Sequence, residues 1–381
     1  MSSLFSIEEI LTCLKNTYLS PDKSVRSESE KKLSVLKDQN ILTFTSQLID
    51  LLKLSINEID KNLRMSIILL LQRSIKGKIK ENKLDENSNN QLIQLYITII
   101  VNPNMTEKEI ENLKETFILL LNNTKTEVLI EMITYINKQL LSMPLSSVNG
   151  VINILLSIIE CTCIKKAKTF LVIVEGVLNI SSSILQNLYS KYEKLDIQNR
   201  LEDYLKINKI FSNMFNLFFQ CIIRTYKKYN IKNEIIFNIY YNISFIGIKL
   251  LVDINTKDNN RIISWTGDKT IDKDMNAMKI NIFKFLNYQV SITENTITDK
   301  NKVENHNQLI KIILSNLEWL IMNKFTYLIK IEFEDEYPNY NYSLIISFMF
   351  IYLKRIFSKD NYIFECATYL IQCTKIFYYL Y

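Results

Sequence analysis

Residues 7–36 read IEEILTCLKNTYLSPDKSVRSESEKKLSVL, and this stretch decides the fold class. Ile7, Ile10, Leu11, Leu14 and Tyr18 return every three or four residues, which places them on one face of a helix. The run stops at Ser20-Pro21-Asp22, because proline disfavours helical geometry in the residue before it. Asp22 then predicts the N-cap of a second helix, whose apolar Val25, Leu33 and Leu36 alternate with Arg26, Glu28, Glu30, Lys31 and Lys32. Two amphipathic helices meeting at a sharp break predict a helical hairpin.

The pattern repeats outward. After Asp38-Gln39-Asn40 a third helix is expected from Ile41 through Leu54. A fourth follows from about Ile59, with Leu63, Ile67, Leu70, Leu71 and Ile75 on one face and Arg64, Arg73 and Lys76 elsewhere. The two hairpins start at Ile7 and Ile41, about 34 residues apart, inside the 20–50-residue period of stacked helical repeats. Further helices are expected at 91–101, 106–121, 127–141, 148–161, 168–189, 205–226, 234–252, 275–290, 308–330, 342–357 and 362–381. Each can bury one face against a neighbour, and none closes a globule alone. Segments 253–274 and 291–307 are polar and are expected to be long loops, the first holding Trp265. The predicted class is all-α: antiparallel hairpins stacked into a right-handed superhelical solenoid.

Composition excludes the competing folds. The chain of 381 residues holds five Gly and four Pro, against roughly 46 expected at average usage. β-Rich folds need these residues at hairpins and bulges. Phosphate-binding loops need clustered glycines, whereas Gly77, Gly150, Gly176, Gly247 and Gly267 stand far apart. The single histidine, His306, removes multi-histidine metal sites and most triads. If Cys161-Thr162-Cys163 lay on a helix, its two thiols would point about 200° apart, which is poor for one metal. No catalytic residue, metal site or cofactor is therefore expected.

The net charge of +6 is spread along the chain, so no direct nucleic-acid binding is expected. Cys13, Cys161, Cys163, Cys221, Cys366 and Cys373 lie mostly in apolar segments with no secretory signal ahead of them, and are expected to be reduced residues of an intracellular protein. The apolar stretch 235–252 is broken by Asn238, Asn242 and Lys249, and the stretch 151–184 by Glu160, Lys165, Lys166 and Lys168, so no membrane span is expected.

The run Tyr18-Leu19-Ser20-Pro21-Asp22-Lys23-Ser24-Val25-Arg26, continuing through Glu28, Glu30 and Leu33, resembles the opening of the importin-β, or karyopherin, superfamily. That opening has a first helix ending in leucine, a Pro-Asp break, an arginine and a second helix rich in glutamate. Arg64-Met65-Ser66-Ile67 and the segment Gln72-Arg73-Ser74-Ile75-Lys76-Gly77-Lys78-Ile79 stand where the family has a helix with an early arginine and a "KNxIKxxW"-like end. Arg73 replaces the usual Asn there, and Ile79 the usual Trp. The resemblance covers about residues 4–80. It implies importin-N-terminal-like HEAT repeats over 1–80, with HEAT-like helical repeats continuing over 81–381.

The resemblance further implies a nuclear transport receptor of nucleus, cytoplasm and nuclear pore. Such a receptor binds Ran-GTP through its first repeats, protein cargo elsewhere, and FG-repeat nucleoporins in grooves between outer helices. By position, Arg26, Lys31, Lys32, Arg64, Arg73 and Lys76 are the implied Ran-binding candidates. A HEAT scaffold without Ran binding is the alternative. Family receptors are longer than this chain, whose last residues keep an apolar pattern. It is expected to be either the amino-terminal part of a receptor or a shortened relative.

Overall fold

The computed structural model describes residues 6–54, 58–81, 83–139, 144–195, 200–230 and 233–257, together with 275, 277, 278, 281, 282 and 284–286. Every regular element among them is helical: α1 (Ile7–Leu19), α2 (Lys23–Gln39), α3 (Ile41–Lys53), α4 (Lys61–Lys80), α5 (Glu86–Ile100), α6 (Glu107–Asn122), α7 (Thr126–Gln139), α8 (Leu145–Glu160), α9 (Ala167–Glu193), α10 (Leu201–Ile223) and α11 (Glu234–Lys257). The fold is all-α. The expected helices beyond residue 290, the loop 291–307, Trp265 and His306 lie outside the described residues.

Local chemistry sets the boundaries. Ser6 and Glu9 form a reciprocal capping box at the start of α1, as Thr106 and Glu109 do at α6. Asp22, Asn40, Asp60 and Asp85 each accept backbone N–H bonds at the starts of α2, α3, α4 and α5. Asp85 explains why α5 begins at Glu86, ahead of the expected residue 91: the added turn is polar, and its cap is strong. α11 likewise continues to Lys257, so the first five residues of the expected loop 253–274 are helical. A run of polar residues is compatible with helix as well as with loop.

The described residues fall into two compact units divided after Val177, inside α9. In the first unit, short connections pair α1 with α2, α3 with α4 and α5 with α6. α3 also packs on α5, α4 on α6, and α6 on α8. The core is aliphatic, with Leu14, Leu48, Leu52, Ile67, Leu71, Ile93, Leu113 and Leu155 fully buried. Tyr96 and Phe117 stack within it at 6.3 Å. Gly150 lets α8 approach the end of α5, since a Cβ there would strike the Ile100 carbonyl oxygen and sit 2.8 Å from the Val101 Cα.

The second unit has an aromatic core. Phe285 lies 5.9 Å from Phe215 and 6.0 Å from both Phe218 and Tyr240, centroid to centroid. Tyr192 contacts Tyr204 at 5.6 Å and Phe211 at 5.8 Å. α10 ends in a π-helical turn, Arg224–Lys228, where the buried Thr225 hydroxyl donates to the Cys221 carbonyl at 2.7 Å. The chain leaves through Asn230 at φ 49°, a left-handed geometry that asparagine tolerates.

The charges expected to interrupt 151–184 lie at helix ends. Glu160 closes α8, Lys165 and Lys166 occupy the connection, and Lys168 opens α9. By length and composition α9 is therefore apolar enough to cross a membrane, although half of its most apolar window is buried within the protein.

Two glycine substitutions test the packing. Gly150→Ala forces the α5 and α8 backbones apart and should cost about 1–3 kcal/mol in urea denaturation. Gly77→Ala, where a Cβ meets nothing within 4 Å, should stabilise α4 by about 0.5–1 kcal/mol.

Candidate partner-binding surface

The six cations singled out in the sequence occupy two helices, Arg26, Lys31 and Lys32 on α2 and Arg64, Arg73 and Lys76 on α4. The helices approach at their C-terminal ends, where Lys78 pairs with Asp38 at 3.3 Å. The six nevertheless do different things.

Arg64 is fully buried and belongs to the interior rather than to any partner-facing surface. Its Nε donates to Glu109 Oε1 at 2.7 Å and its Nη1 to the Leu54 carbonyl at 2.6 Å. Its Nη2 lies 3.4 Å from the Asn104 carbonyl, from Glu109 Oε2 and from the Met105 sulfur. One guanidinium thus ties the end of α3, the α5–α6 connection and the first turn of α6. Burial pushes the Glu109 carboxyl up, but the bond from Arg64, the bonds from Thr106 and the Arg64 charge outweigh it and hold the group below its ordinary value.

Arg26 serves its own hairpin. Its Nη1 donates to the Ser20 carbonyl at 3.0 Å and reaches the Pro21 carbonyl at 3.4 Å, satisfying oxygens left open where α1 ends. Lys32 pairs with Glu28 one turn back at 2.7 Å, on an exposed face. Lys76 reaches across to Glu115 of α6 at 3.3 Å. Lys31 and Arg73 remain, both exposed and without an ion pair among the described residues. Arg73 stands close enough to Tyr18 that its charge opposes the upward push of burial on the phenol.

The ion pairs run laterally. Asp38 of α2 meets Lys78 of α4, Lys76 of α4 meets Glu115 of α6, and Lys114 of α6 meets Glu160 of α8 at 2.9 Å. Gln72 of α4 donates to the Asn112 carbonyl of α6. α4, α6 and α8 therefore pack in series with polar contacts between neighbours, and α2 joins α4 through the Asp38–Lys78 pair. A half-open cleft of about 290 Å³ is lined by Glu86, Asn89, Asn123 and Lys125. Lys125 pairs with Glu86 at 2.8 Å, and Asn89 Nδ2 donates to the Leu120 and Asn123 carbonyls, whereas Asn89 Oδ1 has no hydrogen-bond partner among the described residues.

Among the described residues no group of three His, Cys, Asp or Glu side chains converges as a metal site. Cys13, Cys161 and Cys221 are buried and free, and Cys163 is half-buried and free. Two features escaped the sequence reading. Glu109 carried the signal of a capping box with Thr106, but nothing local pointed to Arg64. The spacing of Cys161 and Cys163 carries a metal or redox meaning only off a helix, and the structure places both past the end of α8 at Glu160. No family model, curated protein or solved structure matches the chain.

Neutralising Glu109 strands a buried cation. Glu109→Gln should cost about 3–5 kcal/mol in chemical denaturation near neutral pH. The folded carboxyl titrates below its ordinary value of 4.5, so its contribution is complete above that value and is lost as pH falls through the lowered one. The variant should accordingly lose less of its remaining stability than the parent on acidification below about 4.5, as a pH series of denaturant midpoints will show.

Proposed function

We propose that the chain is a HEAT-like array of helical hairpins, wound as a right-handed superhelix, that works as a nuclear transport receptor of the importin-β type. In this reading the first hairpins bind Ran-GTP, other repeats hold protein cargo, and apolar grooves between helices take FG-repeat nucleoporins during passage through the pore. The carrying observation is the paired architecture of residues 7–80. α1 ends at Ser20-Pro21-Asp22, Arg26 closes that break, and α1/α2 is followed at once by α3/α4.

The physical logic agrees with the layering. Helices of one kind lie beside one another, α4 on α6 and α6 on α8, so an array presents a broad surface and binds large partners by area rather than in a pocket. Release of cargo by Ran-GTP requires the two partners to favour different curvatures of that array. Lys31 and Arg73 are the residues for the Ran contact, since Arg64 is occupied inside and Arg26, Lys32 and Lys76 already bond protein groups.

The same census favours a second reading, a HEAT scaffold that assembles proteins without Ran. Four of the six candidate cations are engaged by groups of the protein itself, which leaves Lys31 and Arg73 of that set. Immobilised Ran separates the two. The full chain should be retained by Ran loaded with a non-hydrolysable GTP analogue and not by Ran-GDP, and combining Lys31→Glu with Arg73→Glu should weaken retention about tenfold. Equal binding to both nucleotide states, or none to either, contradicts the receptor reading and leaves the scaffold.

A further inference from the structure

The connection between α8 and α9 brings two thiols together. Cys161 and Cys163 have their sulfur atoms 3.3 Å apart. On a helix, residues two apart diverge, but Cys161 is the first residue past α8 and is extended, at φ −63° and ψ 149°. Along extended chain, alternate side chains share a side.

The turn is held from three directions. The Cys161 N–H donates to the Ser157 carbonyl at 3.0 Å and closes the helix. Thr162 donates from its N–H and its hydroxyl to Asn122 Oδ1, at 2.5 and 3.0 Å. Ile164 is buried in the core. Folding of the loop, rather than chance approach, sets the pair.

The two thiols are unequal. Cys161 is buried, whereas Cys163 is half-exposed and flanked by the exposed Thr162. The bond between the two sulfurs, together with burial, pushes the Cys161 thiol up, and the same bond holds Cys163 below its ordinary value. A partly exposed thiol that ionises more readily than its buried partner is the arrangement of an attacking and a resolving sulfur.

We propose that Cys161 and Cys163 form a reversible dithiol–disulfide site whose oxidant is a low-molecular-weight disulfide of the glutathione class. The Cys163 thiolate attacks one sulfur of glutathione disulfide, that S–S bond breaks, and one glutathione leaves as thiolate. Cys161 loses its proton to this thiolate, and its sulfur attacks the Cys163 sulfur and expels the second glutathione. The protein loses two hydrogens and one glutathione disulfide becomes two glutathiones. The sulfurs close from 3.3 Å to about 2.05 Å, and the Asn122 anchor stays in place.

The test uses the full reduced chain in a graded series of reduced and oxidised glutathione, quenched in acid, alkylated and mapped by peptide mass. The wild type should lose two hydrogens in the peptide holding Cys161 and Cys163, reversibly with dithiothreitol. Cys163 should react about tenfold or more faster than the buried Cys13 and Cys221. Cys161→Ser should instead accumulate a glutathione mixed disulfide at Cys163, and Cys163→Ser should leave Cys161 unmodified. Two free thiols in the wild type throughout the series, or a Cys163 mixed disulfide that never resolves, would overturn the proposal. The wild-type arm decides the matter whether or not the variants fold.

Discussion

The first unit depends on a guanidinium placed where no water reaches it. Arg64 presents donors in a rigid fork, and the surrounding structure supplies acceptors to match: both oxygens of Glu109, the Leu54 carbonyl and the Asn104 carbonyl. Taking a charge out of water costs several kcal/mol, which is tolerable when a partner charge and further acceptors are fixed in place. They are fixed because each belongs to an element end. Leu54 caps α3, Asn104 lies in the α5–α6 connection, and Glu109 is the third residue of α6, itself bonded to Thr106. Four segments must therefore be in position together.

Around that pair, apolar burial supplies most of the stabilisation, and the lateral ion pairs supply register. Lys76 with Glu115 is exposed and worth little by itself. Lys114 with Glu160 is less exposed, and the series from α2 to α8 repeats one relation between adjacent even helices. The close contact at Gly150 adds a steric constraint, holding α8 at backbone distance from the end of α5. The fold thus combines a non-directional aliphatic core with a few directional contacts that select one arrangement.

Much of the fold was legible in the sequence because helix ends are local events. Ser20-Pro21-Asp22, Asn40 and the Thr106–Glu109 box announce themselves within four residues, and the helices begin at or close to the expected places. The start of α5 and the end of α11 were missed because a run of polar residues is as compatible with loop as with helix. The candidate surface was less legible. Arg64 carries the same amphipathic-helix signal as Arg73, and only its relation to Glu109, 45 positions away, makes it interior. The Cys161–Cys163 pair was hidden for a different reason: a two-residue spacing has opposite meanings on helix and on extended chain, and α8 ends at Glu160, just before both.

An interior arginine changes how the family-like opening of the chain is understood. The arginine of α4 that carried part of the resemblance is a fastener between hairpins, so what Arg64 contributes is their alignment rather than a surface charge. A double-mutant cycle on the pair tests this most directly, using Arg64→Met, Glu109→Leu and the two combined, with denaturant midpoints read by far-UV circular dichroism. Each single change should cost about 3–5 kcal/mol while the combined variant costs less than the sum of the two, because no charge is then left stranded. Strictly additive losses would contradict it.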